Sequence, residues 1–407
     1  MRCRNSGSQG NCLDRTIVIL GDATDPRVHG GIPHAFLAAA RRRAFAHHGA
    51  ELDLRGMAWP RRTGNALRRV RGLKCGGLQY TASLLDAAEN SPSDRVLSGE
   101  ILSFSQHFPR AETVQRAGGR ISYYLDATLT QLTSGRGLDV RIGDDVRDEV
   151  LAIERKNYDL ADRLVFWSNW AASAAIDECG ADKRKVSVIL PGANLELPTA
   201  WNRKEALGRP GKDRDFVLGF VGKDWRRKGL PLLCDVRDIL ARRGWRVLVR
   251  CAGMAPRALR KRTGVEFVGY IDKAVDPIAF PSLLASCDLG CLFSHREALG
   301  LSTLEFLRAG VPVAGFAIEG PAETIPPDAG LRFAPQDSVG QIADRFESYL
   351  ASPSQQLAFK ETAHKWSRIM TWDRCVLDFE ELWQTGKIAH PVRLVGTNRS
   401  PGDSARW

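Results

Sequence analysis

One stretch constrains the fold of this chain more than any other: Leu289 to Phe316, LGCLFSHREALGLSTLEFLRAGVPVAGF. It opens with a short apolar run, Leu289–Phe293, and closes with another, Val311–Phe316. Between them a loop carries Glu297, and a helix begins near Gly300 that Gly310 and Pro312 bring to an end. Two apolar runs joined by a helix read as strands of a parallel sheet. Glu297 projects from the loop at the helix mouth, and Glu305 lies about one and a half turns into the helix. The amides of Leu301, Ser302 and Thr303 face outward there, with the positive end of the helix dipole, which makes a seat for a diphosphate. A carboxylate beside such a seat suits sugar hydroxyls, because a ribose or hexose diol needs acceptors.

The same alternation recurs along the chain. Strands are expected at Thr16–Gly21, Glu51–Leu54, Arg95–Phe104, Arg120–Asp126, Leu164–Trp167 and Val186–Leu190. A second set follows at Phe216–Val221, Trp245–Cys251, Val265–Tyr270 and Leu331–Phe333, around the two strands already described. Helices fall between them, among them Ile32–His48, Asn169–Cys179 and one opening near Gly229. Strands alternating with helices imply an α/β protein with parallel sheets, and 407 residues suit two such units, each with its own core.

Composition narrows the function. No apolar run reaches about 18 residues, and the N-terminus MRCRNSGSQGNCLDR lacks the apolar segment of a secretory signal. Nine cysteines are dispersed without CxxC or zinc-like spacing, which reads as reduced thiols in a cytoplasmic protein. The net charge of +11 permits nucleic acid, anionic membrane or anionic small molecules as partners. No zinc finger or basic-aromatic interleaving supports nucleic acid. The basic excess peaks between Arg41 and Lys74. There Trp59, Leu67, Val70 and Leu73 fall beside Arg62, Arg68, Arg69, Arg71 and Lys74, so the Arg55–Lys74 region reads either as an interfacial helix on anionic lipid or as a solvated basic face. Pro60 and Gly64 are expected to shorten the helix available.

Several familiar chemistries lack their residues. The loop GDATDPRVHGG after the first strand is not GxGxxG, so an NAD site has no fingerprint; Gly30 and Gly31 either let a ligand approach the backbone or make a tight turn. Ser168 is not in a GxSxG elbow and reads as a helix cap. Asp213 and Asp215 precede a strand instead of ending one, so they are not read as a metal pair, and no metal site is expected. After the strand Phe216–Val221, by contrast, Lys223, Arg226, Arg227 and Lys228 crowd one loop, where cations favour a leaving pyrophosphate.

Glu297 and Glu305, the Gly-Val-Pro-Val run from Gly310 and the Gly-Pro-Ala-Glu turn at Gly320 together resemble the family 4 retaining glycosyltransferases of the GT-B fold. That resemblance implies two Rossmann-like domains facing across a cleft, with a C-terminal helix crossing back to the first. The corresponding spans are 16–193 on the acceptor side, a linker at 194–215, a nucleotide-sugar domain at 216–370 and the crossing helix at 371–385. Residues 1–15 and 386–407 are expected to be mobile ends. It further implies a UDP-, GDP- or ADP-sugar donor, no permanently bound cofactor, and transfer to an acceptor hydroxyl (glycan, lipid-linked or small molecule) with retained configuration.

The implied roles follow residue by residue. Lys223, Lys228, Gly31, Gly300, Leu301 and Ser302 bind the donor diphosphate; Glu305, Tyr270 and Ile271 bind the nucleoside; Glu297 holds the donor sugar. Lys223 stands where the family more often has Arg, which keeps the charge and loses the bidentate fork. Asp126 is the best match to an acceptor-side polar residue and reads equally as a turn cap, with His107 as the other candidate. Glu323 is expected to be structural. A GT-B nucleotide-sugar epimerase and a catalytically silent nucleotide-sugar-binding protein are the alternatives. The protein is expected in the cytoplasm, peripheral on the inner membrane face if the basic helix docks.

Overall fold

A computed structural model of the chain describes residues 15–51, 55–90, 97–133, 142–197, 215–273, 275–389, 391–392 and 395. Among the described residues, twelve strands form two six-stranded sheets. The first contains β1 (Arg15–Val18), β2 (His48–Gly49), β3 (Glu100–Ser103), β4 (Arg120–Leu125), β5 (Arg163–Phe166) and β6 (Val186–Val188), in the order β2-β1-β3-β4-β5-β6. The second contains β7 (Phe216–Gly222), β8 (Val247–Gly253), β9 (Val265–Gly269), β10 (Leu289–Leu292), β11 (Val313–Phe316) and β12 (Gly330–Phe333), in the order β12-β11-β10-β7-β8-β9. The described pairings within both sheets are parallel. The α/β architecture is therefore the one the alternation implied.

Packing divides the chain into two compact units: 1–125 with 141–164 and 181–185, and 126–140 with 165–180 and 186–407. Much of the expected linker, 198–214, lies outside the described residues. Within the second unit the helix Trp372–Thr385 is tied to the segment around Pro191: Trp372 Nε1 donates to Asn194 Oδ1 at 2.9 Å, and Arg374 Nη2 donates to the carbonyls of Leu190 and Pro191. Gly192 is required there, since a Cβ would lie 2.4 Å from the Trp372 amide nitrogen.

Three local expectations change. The first helix is Ile32–Arg42, not Ile32–His48; Ala44 takes a positive φ of 55°, the chain turns, and His48 joins β2 in place of the expected strand at 51–54. Glu51 makes only an isolated antiparallel bridge to Asp22, and 52–54 lie outside the described residues. The basic segment is one continuous helix, Arg55–Val70, that runs through Pro60. Pro60 removes a single backbone donor near the start of that helix and does not end it.

In the second sheet β10 and β11 are buried along their whole length, as strands covered on both faces must be. The helix Leu301–Arg308 lies against this sheet through Phe306. Gly219 and Gly290, paired across β7 and β10, provide the space: a Cβ at Gly290 would sit 2.2 Å from Phe306 Cγ, and one at Gly219 would sit 2.7 Å from Phe306 Cζ. Two glycines inside strands, a weak choice for strand propensity, are thus explained by one aromatic ring that docks the helix.

Candidate active site at the strand switch point

Counted from β7, the second sheet runs 3-2-1-4-5-6, with the order reversing between β7 and β10. Loops leaving the carboxyl ends of strands on either side of such a reversal part in opposite directions and open a crevice. Here those loops are Lys223–Gly229 and Phe293–Gly300. They are joined at their bases. The Phe293 amide donates to the Lys228 carbonyl at 3.2 Å, and Gly229, at φ 79°, comes so near that a Cβ would lie 2.4 Å from the Phe293 carbonyl oxygen. The Phe293 ring anchors the second loop below, against Phe316 at 5.2 Å and Phe333 at 5.6 Å between centroids.

Charged side chains converge on this crevice. Glu297 is 12% exposed and its Oε2 receives Arg227 Nη1 at 2.9 Å and Ser294 Oγ at 3.1 Å, with Lys228 Nζ at 3.8 Å. Arg227 also donates to the Arg296 carbonyl and pairs with Asp224. Lys223 is exposed and its Nζ stands 5.3 Å from the centre of the Tyr270 ring, which follows β9. Ile271 is next in the chain and is partly buried. Of the cations in the loop after β7, Lys223, Arg227 and Lys228 face Tyr270 or Glu297, where the sequence singled out only the two lysines. Arg227 was visible as one charge among four, but only the folded loop distinguishes it as the partner of Glu297.

The helix Leu301–Arg308 begins at this same point. Gly300 is its N-cap in the left-handed conformation, φ 81° and ψ 57°, and a Cβ there would meet Leu292 at 2.7 Å. The expectation for the first-turn amides needs one correction. The Thr303 amide is already bonded to the Gly300 carbonyl at 2.9 Å, so the turn offers Leu301 and Ser302. Ser302 is buried, and its hydroxyl has no hydrogen-bond partner among the described residues, an unsatisfied polar atom at the mouth of the crevice. One turn on, Glu305 is 7% exposed. Its Oε1 receives Lys273 Nζ at 2.6 Å, and Lys273 also donates to the Asn194 carbonyl at 2.8 Å. Nothing in the sequence marked Lys273, which sits 32 residues away and reaches Glu305 only because β9 and the helix are brought together. Cations, the first-turn amides of Leu301 and Ser302 and two carboxylates thus stand together at this helix start.

The sequence family described as Glycosyl transferases group 1 matches residues 215–352, the span that carries this crevice. Curated relatives agree. D-inositol 3-phosphate glycosyltransferase from Gordonia bronchialis is 24% identical over 319 residues, 69% of each chain. The protein of that name from Salinispora tropica is 25% identical over 350 residues, 73% of this chain and 70% of the relative. Among solved structures, that of Anabaena HepE in complex with UDP-glucose superposes with a TM-score of 0.63 at 16% identity, over 91% of this chain and 99% of that one. Residues 215–352 thus resemble the group 1 glycosyltransferases, and the chain has the GT-B fold.

The residues singled out in the first half of the chain fall in contrasting environments. Gly31 is left-handed, φ 80°, and is the N-cap of Ile32–Arg42; a Cβ there would lie 2.7 Å from the Pro26 carbonyl oxygen, so the glycine is needed for the turn itself. Asp126 stands directly after β4 and is partly buried. His107 is 1% exposed, in the loop after β3, and its ring stacks on Tyr80 at 4.7 Å. Burial lowers its pKa to about 4, so the ring is neutral at physiological pH and closed to solvent. Glu323 accepts from the amides of Asn169 and Trp170 and from Asn169 Nδ2 at 2.8–2.9 Å. With Ser168 Oγ accepting from Ala171, it caps the helix Asn169–Asp177.

The helix Arg55–Val70 shows a second charged surface. Trp59 (74%), Val70 (85%), Leu67 and Leu73 are exposed, as are Arg61, Arg62, Arg69, Arg71 and Lys74. Arg68 is the exception to the expected basic face. It turns inward to Asp145 at 2.7 Å and to the Gly76 carbonyl. Among the described residues no helix is long and apolar enough to cross a membrane.

Proposed function

We propose that the chain transfers a hexosyl group from a nucleoside-diphosphate sugar to an acceptor hydroxyl, with retention of anomeric configuration. The observation that carries this reading is the convergence, at one strand switch point, of three cations, a glycine-capped helix start and two carboxylates. Lys223, Arg227 and Lys228 stabilise the diphosphate, with the amides of Leu301 and Ser302 and the unpartnered Ser302 hydroxyl. Glu305 takes the ribose hydroxyls, and Lys273 then shares or releases its oxygen. The Tyr270–Ile271 segment stands by the base. HepE is described in complex with UDP-glucose, which favours a uridine donor among the UDP-, GDP- and ADP-sugars.

In the reaction the bond from the anomeric carbon to the phosphate oxygen breaks and a bond to the acceptor oxygen forms. The acceptor proton passes to the departing diphosphate, on the same face. Negative charge grows on the diphosphate as its bond breaks, and cations already fixed around it hold that charge more strongly than the ground state. Glu297 holds the donor sugar and faces the positive charge that develops at the anomeric carbon. Arg227 leaves Glu297 for the diphosphate when the donor binds. Asp126 serves the acceptor side; His107, being buried and neutral, is assigned no proton transfer.

The exposed Trp59, Leu67, Val70 and Leu73 among five exposed cations support a peripheral contact of the Arg55–Lys74 region with an anionic membrane, and hence a lipid-linked acceptor. Sedimentation with phosphatidylglycerol vesicles tests it. Binding at low salt, lost in W59A/V70A and in phosphatidylcholine vesicles, is expected; no binding at low salt, where screening is weakest, refutes it.

The test of the donor site is nucleoside diphosphate release across UDP-, GDP- and ADP-sugars, with calorimetry of the same ligands. One donor is expected to bind and turn over. Lys228→Ala is expected to lower kcat/KM by about 10- to 100-fold, as loss of one charge-assisted contact to the leaving group does. Absence of binding across the panel refutes the transferase reading; binding with free sugar or an epimer as the only product favours the epimerase.

A further inference from the structure

Glu319, in the loop that follows β11, has its backbone in the left-handed region at φ 48°. For a residue other than glycine or asparagine that conformation is unfavourable. Its side chain is 14% exposed. Burial, above all, raises its pKa above the ordinary glutamate value, and the nearby charge of Glu297 adds to this, against the pull of the Glu297 amide and of Arg296. A strained backbone and a buried acid in one residue are both unfavourable to folding, so their presence points to another role.

The contacts show what the carboxylate holds. Oε2 accepts from the Glu297 amide at 2.8 Å, and Oε1 pairs with Arg296 Nε at 2.7 Å. The next residue, Gly320, lies directly on the backbone beyond Glu297: a Cβ there would be 1.9 Å from the Ala298 carbonyl oxygen. Thr324 Oγ1 completes the seam with a bond to the Leu299 carbonyl at 2.9 Å. The loop after β11 is thus fastened along the whole of Glu297–Leu299, and the Glu319 carboxylate is the one charged group in that seam that bonds to the Glu297 backbone among the described residues.

We propose that Glu319 is the positioning residue for Glu297: its carboxylate clamps the Glu297 amide and so fixes the reach of the Glu297 side chain to the donor sugar. This rests on the reading of Glu297 as the sugar-holding group. It separates two parts of the donor site. The nucleoside end, at Glu305 and Tyr270, is independent of Glu319, while the sugar end depends on it. The left-handed backbone is what turns the carboxylate toward Glu297, and a glycine there would keep the turn and lose the clamp.

The experiment compares wild type, E319G and E319Q by thermal melting, by calorimetry with a nucleoside diphosphate and with the matching nucleotide sugar, and by steady-state turnover. E319G is expected to melt at or above the wild-type temperature and to bind the nucleoside diphosphate as wild type does. Its affinity for the nucleotide sugar is expected to fall about tenfold, and kcat by about tenfold or more. E319Q keeps an acceptor for the Glu297 amide and is expected to recover most of both. An E319G protein that discriminates the two ligands and turns over like wild type overturns the proposal. So does one that loses melting temperature and nucleoside diphosphate binding together, which marks a merely structural residue. Wild-type protein that binds no ligand of either kind refutes the donor-site reading and this inference with it; wild-type binding with an insensitive E319G refutes this inference alone.

Discussion

Gly290→Ala tests whether the helix Leu301–Arg308 is placed by the sheet beneath it. A Cβ at Gly290 would stand 2.2 Å from Phe306 Cγ and 2.3 Å from Cδ2. Carbon atoms pack at about 3.5–4.0 Å, so the ring has to retreat by roughly 1.3 Å or more. Phe306 is 1% exposed and already meets the Gly219 face on the neighbouring strand, which leaves it no free side to move into. Overpacking of this kind costs about 1–3 kcal/mol, and at about 2–4 °C per kcal/mol for a domain of this size the melting temperature falls by roughly 2–12 °C. The helix moves with the ring, and Glu305 and the Leu301–Ser302 amides move with the helix. A displacement near 1 Å at such a site is expected to lower turnover by up to about 100-fold and to weaken nucleoside diphosphate binding. Thermal melts and calorimetry on G290A and G290A/F306L provide the assay, with the smaller leucine expected to restore part of both losses. A G290A protein that melts and binds like wild type would refute the reasoning.

Two further perturbations follow from the structure. Glu323→Gln removes the charge from a carboxylate that takes three N–H groups at the start of the helix Asn169–Asp177, so a loss of about 1–2 kcal/mol is expected, read as a lower denaturant midpoint with an unchanged slope. His107, held near pKa 4 by burial against an ordinary value of 6.5, binds a proton in the unfolded chain at pH values where the folded protein does not. Its contribution is therefore complete above about pH 6.5 and is lost as pH falls toward 4, a change on the order of 3 kcal/mol. Denaturation midpoints of wild type and His107→Phe across that range check it: the variant should lose most of this acid sensitivity, and parallel curves would refute the assignment.

Much of the fold was legible because its signals are local. Apolar runs of four to seven residues, ended by glycine or proline, marked the strands at 216–222, 289–292 and 313–316 to within a residue or two. The Gly300 helix start and the Ser168 cap are likewise consequences of neighbours a few residues apart. Where local signals competed, the reading failed: an alanine-rich run was extended past Arg42 into His48, and Pro60 was given more power to end a helix than one missing donor supplies.

The sequence by itself determined the α/β class, the glycine at which the helix after β10 opens, and the residue types that a sugar nucleotide would need. Tertiary structure decided which of them meet. Strand order alone places the loops after β7 and β10 on either side of one crevice, and no periodicity of 2 or 3.6 residues encodes that order. The pairs Arg227–Glu297, Lys273–Glu305 and Glu319 to the Glu297 amide span 70, 32 and 22 residues. Arg68 turning inward to Asp145 spans 77. Charge depends on partners brought near by the sheet, and a side chain's surroundings are fixed only when the chain has closed on itself.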